Sequence, residues 1–450
     1  MKVARVHPAN HSLTGSVLCA RDKSLSHRAA ILAALAQGTT KVSGFSFCED
    51  CLSTLSCLRK FGVRIETYPD VGKVVVESGG WKELTEPEDV LYAGNSGTTA
   101  RLLCGVASWI EGLTIITGDA SLRRRPMRRV IEPLSLTGIQ IGGRDNDRFL
   151  PVFIRGKYPL APFEYHLPVA SAQVKSALLL AALGANAPSC VREPFASRDH
   201  TENMLSYLGI RLEREPGRIV IHPPAKPLKA KDFSLPGDIS SAAFLAAAAL
   251  MVPDSDIYIQ DVGLNPTRSG FLECVSRMGG KIKIHNLREE FGERRGDLEV
   301  AFSSLHGISI GKELIPSLID EVPILSVLAT QAQGVTSITG AEELRVKECD
   351  RLRAMYLGLK TLGAKVEERN DGLVIEGPVT LRGGRVESFG DHRVAMSFAV
   401  AGLIAREVVE IVDVDCVKIS YPEFFDHLQL LGCKRTEFYE SEEEGEKNCS

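Results

Sequence analysis

Aromatic residues make up only 6% of this 450-residue chain, and no apolar run is long enough to cross a bilayer. The longest such stretch, Ala242 to Val252, falls well short of a membrane span. Charge of neither sign dominates: the net value is −4, so bulk electrostatics give no case for nucleic acid or an acidic membrane. Eleven cysteines, an odd number and scattered, fit reduced thiols better than a disulfide framework. Cys48-Glu49-Asp50-Cys51 has no second pair at zinc-site spacing and reads as the opening of an ordinary helix. No Walker loop, dinucleotide fingerprint or ordered Ser/His/Asp set occurs. The opening Met1-Lys2-Val3-Ala4-Arg5-Val6 runs into strand pattern with no signal or transit character, so a cytoplasmic location is expected. An apolar content of 44% with 24% charged residues is that of a soluble globular protein, and the length predicts two or three domains.

What the chain does have is a unit that recurs six times. A polar, charged or Gly-rich cluster opens an apolar helix, and a later helix ends in glycine and runs into a strand. The openings are at Lys23–Arg28, Gly94–Thr99, Ser171–Lys175, Gly237–Ser241, Asp320–Pro323 and Gly390–Arg393. The closing glycines are Gly62, Gly138, Gly209, Gly279, Gly363 and Gly432, between 69 and 84 residues apart. A period of that size marks a folded unit copied along the chain. In the first copy, Ser26 to Gln37 reads as a helix stopped by Gly38 and Thr40 to Phe45 as a strand. Glu49 to Phe61 reads as an amphipathic helix with Leu52, Leu55 and Leu58 inward, and 63–66 and 73–77 as a hairpin. Helices apolar all round belong in an interior. Three units per half, with these helices central and strands outside, would bury every one. The strand before Lys23 has no unit of its own, so the chain is expected to cross between halves twice, near Cys19–Asp22 and near Gly237–Ser240. The acidic stretch after Arg435 reads as a disordered tail.

A helix start presents free N–H groups and the positive end of the dipole, and so suits anions. Lys23, Ser24 and Arg28 cluster at one start, and Gly94-Asn95-Ser96-Gly97-Thr98-Thr99 forms a backbone cradle at another. Five arginines fall within Arg123–Arg129, and Pro126 predicts a helix start beside Arg125. Lys347 and Arg351 are four apart, on one face if that segment is helical. Each cluster also has a plainer reading, as a cap or a solvated charge run. Asp320 and His392 read equally as caps or as proton-transfer groups. The residues alone lead to an anionic small-molecule site built from helix starts.

Taken together, these strings resemble the 5-enolpyruvylshikimate-3-phosphate synthases, from Lys23 to Phe425. The matching strings are Asp22–Arg28, Gly94–Thr98, Arg125-Pro126-Met127, Ser171-Ala172-Gln173, Arg345–Glu348, Asp350-Arg351, Asp391-His392-Arg393, and Lys418 ahead of Tyr421-Pro422. The resemblance implies an α/β fold of two domains in an inside-out barrel, three β-α-β-α-β-β units in each. The expected boundaries are 21–237 for one domain, 1–20 with 238–435 for the other, and 436–450 for the tail. It implies transfer of the enolpyruvyl group of phosphoenolpyruvate to the 5-hydroxyl of shikimate 3-phosphate, by a monomer with no metal or organic cofactor. By position, Lys23, Gly97, Arg125, Gln173, Arg351, Arg393 and Lys418 would hold phosphoenolpyruvate. Lys23, Ser24, Arg28, Ser171, Ala172, Gln173, Ser197, Asp320 and Lys347 would hold shikimate 3-phosphate. Asp320 is assigned as base, and Glu348, assisted by Lys23, as acid.

Arg21 stands where the family commonly has Gly. The strings Arg198–Glu202 and Asn265–Arg268 resemble a subset of bacterial members. Gly97 leaves the pocket open where Ala would crowd it, so glyphosate is expected to compete with phosphoenolpyruvate. The alternative within this fold is an enolpyruvyl transferase acting on a UDP-sugar. That enzyme usually carries a reactive Cys in the loop that here reads Gly118–Arg123, without one. A nucleic-acid role for the arginine run has no aromatic interleaving to support it, and a non-catalytic scaffold sits poorly with intact Lys23, Asp320 and Glu348.

Overall fold

The computed structural model describes residues 1–433 and 435–440. Among them the strands form six four-stranded sheets with one shared plan. An outer strand lies parallel to its neighbour, and the next two run antiparallel. In the first copy, Phe233–Ser234 pairs parallel with Gln37–Ser43, which pairs antiparallel with Lys73–Gly79 and that with Arg64–Tyr68. The sixfold sequence repeat is thus a sixfold sheet repeat, and the α/β architecture follows it.

The six apolar helices are Lys23–Leu35, Gly97–Ala107, Ala172–Ala182, Ile239–Met251, Val322–Ala329 and His392–Ile404. They are buried along nearly their whole length; all of Ile239–Met251 is interior. Their packing is tight enough that a Cβ at Gly105 would sit 2.1 Å from the carbonyl oxygen of Ala177 on the neighbouring helix. The apolar interior falls into two clusters. One runs from Leu25 to Leu235, and the other joins Ala4–Cys19 to Ile239–Cys433. We refer to these as the first and second lobes.

The strands at the start of the chain belong to the second lobe. Thr14–Leu18 pairs with Asp256–Gly263, and Lys2–Val6 lies between Val409–Val412 and Thr436–Glu440. The two crossovers run side by side: Asp22 N–H donates to Pro236 O (3.0 Å) and Asp238 N–H to Ala20 O (2.7 Å). The hairpin Lys281–Ala301 reaches back across, and its tip residue Phe291 packs on Phe233 and Tyr207 of the first lobe.

All six closing glycines have positive φ, from 82° to 112°, a conformation that costs other residues. Several local expectations need correction. The first helix begins at Lys23 and ends at Leu35; Gly38 (φ 121°) lies inside the following strand rather than stopping the helix. Leu52 is 43% exposed, because positions three apart drift off a helical face, while Leu55 and Leu58 are buried. Pro126 does not start a helix: a 3₁₀ turn covers Leu122–Arg124 and the helix begins at Arg128. The expected tail at 436–450 fails over 436–440, which pair with Lys2–Val6 as a strand in spite of their acidic residues. Residues 441–450 lie outside the described residues.

Two glycines separate backbone strain from crowding. Gly209 has φ 91° and nothing within 4 Å of an added Cβ, so Gly209→Ala should cost about 1 kcal/mol. Gly105→Ala should cost about 3 kcal/mol, by forcing two central helices apart. Urea unfolding midpoints of the two variants check the ranking.

Candidate active site

Residues at or beside the starts of all six central helices line one cleft between the lobes: Lys23, Gly97, Gln173, Asp238, Asp320 and Arg393 among them. The local sequence explains the placement. Asp22, Ser96, Asp238 and Asp391 each cap their helix with a side-chain acceptor, which fixes where the next residues point. Nine Lys or Arg and five Asp or Glu line the cleft, so cations are in excess.

Two of the carboxylates that the second lobe brings to this cleft are ringed by guanidiniums. Asp320 meets Arg198 (2.6 Å), Arg351 (3.2 Å) and Arg393 (3.4 Å). Glu348 meets Arg351 (2.6 Å) and Arg125 (3.2 Å). Burial opposes the charge on both. Arg393, Arg198 and Arg351 outweigh it at Asp320, and Arg351 and Arg125 outweigh it at Glu348, so both sit well below the ordinary carboxylate range. Lys23 Nζ lies 3.0 Å from Asp50 Oδ2. Burial works against the Lys23 ammonium, yet Asp50 holds it charged, above its usual range.

Arg28 has a different setting. Its donors go to Ser24 O (2.9 Å), Thr201 Oγ1 (2.8 Å) and Ser176 Oγ (2.9 Å), all neutral acceptors. Burial brings it down to about 10. Ser171, Ala172 and Ser197 line the same side of the cleft, and Ser197 Oγ donates to Glu193. Gln173 accepts from Arg101 and donates to Thr98 Oγ1 (3.0 Å). Lys347 reaches Glu343 (3.0 Å), and burial lowers it. Lys347 and Arg351 do not share a helical face. A 3₁₀ segment ends at Val346, Lys347 breaks the backbone, and Asp350 caps a new helix at Arg351. Both side chains still line the cleft. Lys418 does not: it is 56% exposed and pairs with Asp415 (2.7 Å).

Of the five-arginine run, Arg125 and Arg129 turn into the cleft and Arg123, Arg124 and Arg128 face out. Sequence reasoning left several cleft residues unassigned. Arg101 stands four residues after Gly97, as Arg28 does after Ser24, and the same one-turn spacing applied there would have found it. Arg198 stands out in the sequence only within the string Arg198–Glu202, with no role attached to it. Asp50 carries no local signal, since its partner Lys23 is reached only through the fold. His392 sits at the cleft with both ring nitrogens unpartnered, and burial followed by Lys23 and Arg393 drives it well below the usual histidine range. Among the described residues, no group of three or more His, Cys, Asp or Glu is placed to hold a metal ion.

Three ion pairs join the lobes across the cleft: Arg125–Glu348, Arg129–Glu343 (3.1 Å) and Arg198–Asp320. Burial opposes the Glu343 charge, but Lys347 and Arg129 bring its carboxyl down to about 2. A carboxylate depressed on folding stabilises fully above its ordinary value and loses that contribution as pH falls toward the folded one. Glu343→Gln should therefore lose at most about 3 kcal/mol at pH 7. The gap between variant and parent should narrow as pH drops below 4.5. Urea midpoints at a series of pH values measure it.

A family match to EPSP synthase (3-phosphoshikimate 1-carboxyvinyltransferase) covers residues 8–428. Relatives bearing the name 3-phosphoshikimate 1-carboxyvinyltransferase include one from Alkaliphilus metalliredigens. It is 48% identical over 93% of this chain and 97% of its own length. Another, from Shouchella clausii, is 46% identical over 95% and 98%. The solved EPSP synthase of Acinetobacter baumannii superposes with a TM-score of 0.87 at 39% identity, covering 98% of this chain and all of that one. The enolpyruvyl transferase NikO of Streptomyces tendae, at 15% identity and TM-score 0.76, shares the fold. With a family match over nearly its full length and relatives well above 40% identity, the chain belongs to the EPSP synthase family.

Proposed function

We propose that this cleft transfers the enolpyruvyl group of phosphoenolpyruvate to the 5-hydroxyl of shikimate 3-phosphate, with Asp320 and Glu348 moving the protons. The observation that carries the reading is a pair of carboxylates set among cations drawn from both lobes. Both substrates are anions, and cations must offset their repulsion before the carbons approach. Lys23, Gly97, Arg125, Gln173, Arg351 and Arg393 are assigned to phosphoenolpyruvate. Lys23, Ser24, Arg28, Ser171, Ala172, Gln173, Ser197, Asp320 and Lys347 are assigned to shikimate 3-phosphate. Arg28, whose donors meet only neutral acceptors, suits a phosphate especially well. Lys418 joins the phosphoenolpyruvate set only if its short helix swings inward on binding.

The chemistry is addition followed by elimination. The 5-hydroxyl oxygen bonds to C2 while C3 takes a proton; then the C2–O bond to phosphate breaks as C3 gives a proton back. Asp320, held ionised, takes the proton of the hydroxyl. Glu348, as it stands, is ionised and has no proton to give. When phosphoenolpyruvate engages Arg125 and Arg351, the depression of Glu348 relaxes and it gains the proton for C3. Lys23 assists by holding the leaving phosphate.

We assign the two domains to 21–237 and to 1–20 with 238–440, the strand Thr436–Glu440 being part of the second, acting as a cytoplasmic monomer. Among the described residues, no helix is long and apolar enough to cross a membrane.

Asp320→Ala should cut phosphate release about 10²- to 10⁴-fold while shikimate 3-phosphate still binds. Release near the parent rate in a coupled assay contradicts the assignment. The same assay with a UDP-sugar acceptor should show no release. Glyphosate should compete with phosphoenolpyruvate. A Cβ at Gly97 would lie 2.5 Å from Arg101 Nη1 and 3.5 Å from Arg125 Nη1. Gly97→Ala should therefore raise KM for phosphoenolpyruvate roughly tenfold, the worth of one charge-assisted hydrogen bond, and weaken glyphosate inhibition. Steady-state inhibition patterns test both.

A further inference from the structure

Arg268 ends the short turn Pro266–Arg268 in the second lobe and is 1% exposed. It does not line the cleft. Its Nη2 donates to Asp238 Oδ1 (3.0 Å) and Ser240 Oγ (2.6 Å), and its Nη1 lies 3.7 Å from Asp22 Oδ2. Asp22 and Asp238 are the residues where the two crossovers turn into central helices. Asp22 Oδ1 accepts from Leu25 N–H (2.7 Å) and Asp238 Oδ1 from Ser240 N–H (2.9 Å). Asp238 Oδ2 also accepts from the backbone N–H of Lys23 (3.3 Å). One guanidinium therefore lies against two carboxylates that together fix where the chain enters Lys23.

Two buried carboxylates side by side repel, and without a cation they cannot both stay ionised cheaply. The settings of the two differ accordingly. Burial and then Asp238 push Asp22 up, whereas Arg268 and Arg393 overcome burial at Asp238 and hold it down.

The turn is itself docked on the first lobe. Asn265 Nδ2 donates to Asp199 Oδ1 (2.7 Å) and to Glu293 Oε2 (2.9 Å), and Asp199 N–H donates to Thr267 Oγ1 (3.3 Å). Asp199 directly follows Arg198, the partner of Asp320. The strings Arg198–Glu202 and Asn265–Arg268, far apart in sequence, thus meet at the crossovers. Asn265 and Thr267 hold the Ser197–Asp199 side, and Arg268 holds the Lys23 side.

We infer that Arg268 is a positioning residue for the transfer reaction. By holding Asp22 and Asp238 together, it sets Lys23 at the height where its ammonium meets phosphoenolpyruvate. This rests on the assignment of Lys23 to that substrate.

Steady-state kinetics of four variants test it. Arg268→Gln should raise KM for phosphoenolpyruvate at least tenfold and KM for shikimate 3-phosphate, which Lys23 also serves, no more than about threefold, because Arg28 and Lys347 still hold that substrate and Asn265 and Thr267 remain. Adding Asp22→Asn should recover at least threefold of that loss, since Asn caps a helix as well as Asp and no longer repels Asp238. Arg268→Lys, which keeps the charge without the fork, should raise KM for phosphoenolpyruvate two- to fivefold with the other KM unchanged. It decides the matter if Arg268→Gln does not fold. Equal shifts in both KM values, or no recovery from Asp22→Asn, would mean Arg268 only stabilises the fold and would overturn the inference. Lys23→Met separates the two claims. If it leaves KM for phosphoenolpyruvate unchanged, the Lys23 assignment itself fails. If it raises that KM while Arg268→Gln does not, only the role of Arg268 fails.

Discussion

Everything in this molecule answers to one electrostatic constraint: more positive charge converges on the cleft than the cleft can neutralise. Helix starts from both lobes bring their dipole ends there, together with nine Lys or Arg side chains. Without substrate, the chain balances part of that charge with its own acids. Asp50 serves Lys23, Asp391 and Glu348 serve Arg351, and Asp320 serves three arginines. These pairs keep the resting cleft together. They also make it selective, since a ligand must offer enough negative charge to displace them. Reaction and resting state use the same groups with different partners.

The fold exists to make that convergence possible. Six copies of one unit place six apolar helices inside and six sheets outside, which leaves helix ends, not faces, for the cleft. The double crossover joins the lobes by two short antiparallel segments capped by Asp22 and Asp238. Lys23 and Ser240 thus sit within one hydrogen-bonded junction, although more than two hundred residues separate them. Geometry at the junction therefore reaches the cleft directly, through the backbone of Lys23 and through Asp238, which lines the cleft itself.

Much of this was legible in the sequence, and the reasons are local ones. Gly62, Gly138, Gly209, Gly279, Gly363 and Gly432 announce the repeat because a helix end in the left-handed region favours glycine. The apolar runs announce central helices, and Lys23, Gly97, Gln173 and Arg393 announce themselves by standing at helix starts. What was not legible depends on approach in space. Asp50 against Lys23, Arg198 against Asp320 and Arg129 against Glu343 are contacts between distant segments, with no spacing to betray them. The segment around Lys347 misled for the opposite reason: its alternating charges mimic a helix, but the backbone breaks there so that Glu348 can face two arginines. The strand at Thr436–Glu440 was hidden by its acidic residues, because edge pairing with Lys2–Val6 tolerates charge facing solvent.

The exchange of partners is open to direct observation in a crystal structure of the Asp320→Ala enzyme with shikimate 3-phosphate and phosphoenolpyruvate both bound. The account predicts that Arg125 and Arg351 have left Glu348 for oxygens of the bound phosphoenolpyruvate, with Arg28 on the phosphate of its companion. Both substrates seated in the cleft with the Arg125–Glu348 and Arg351–Glu348 pairs unbroken would contradict it.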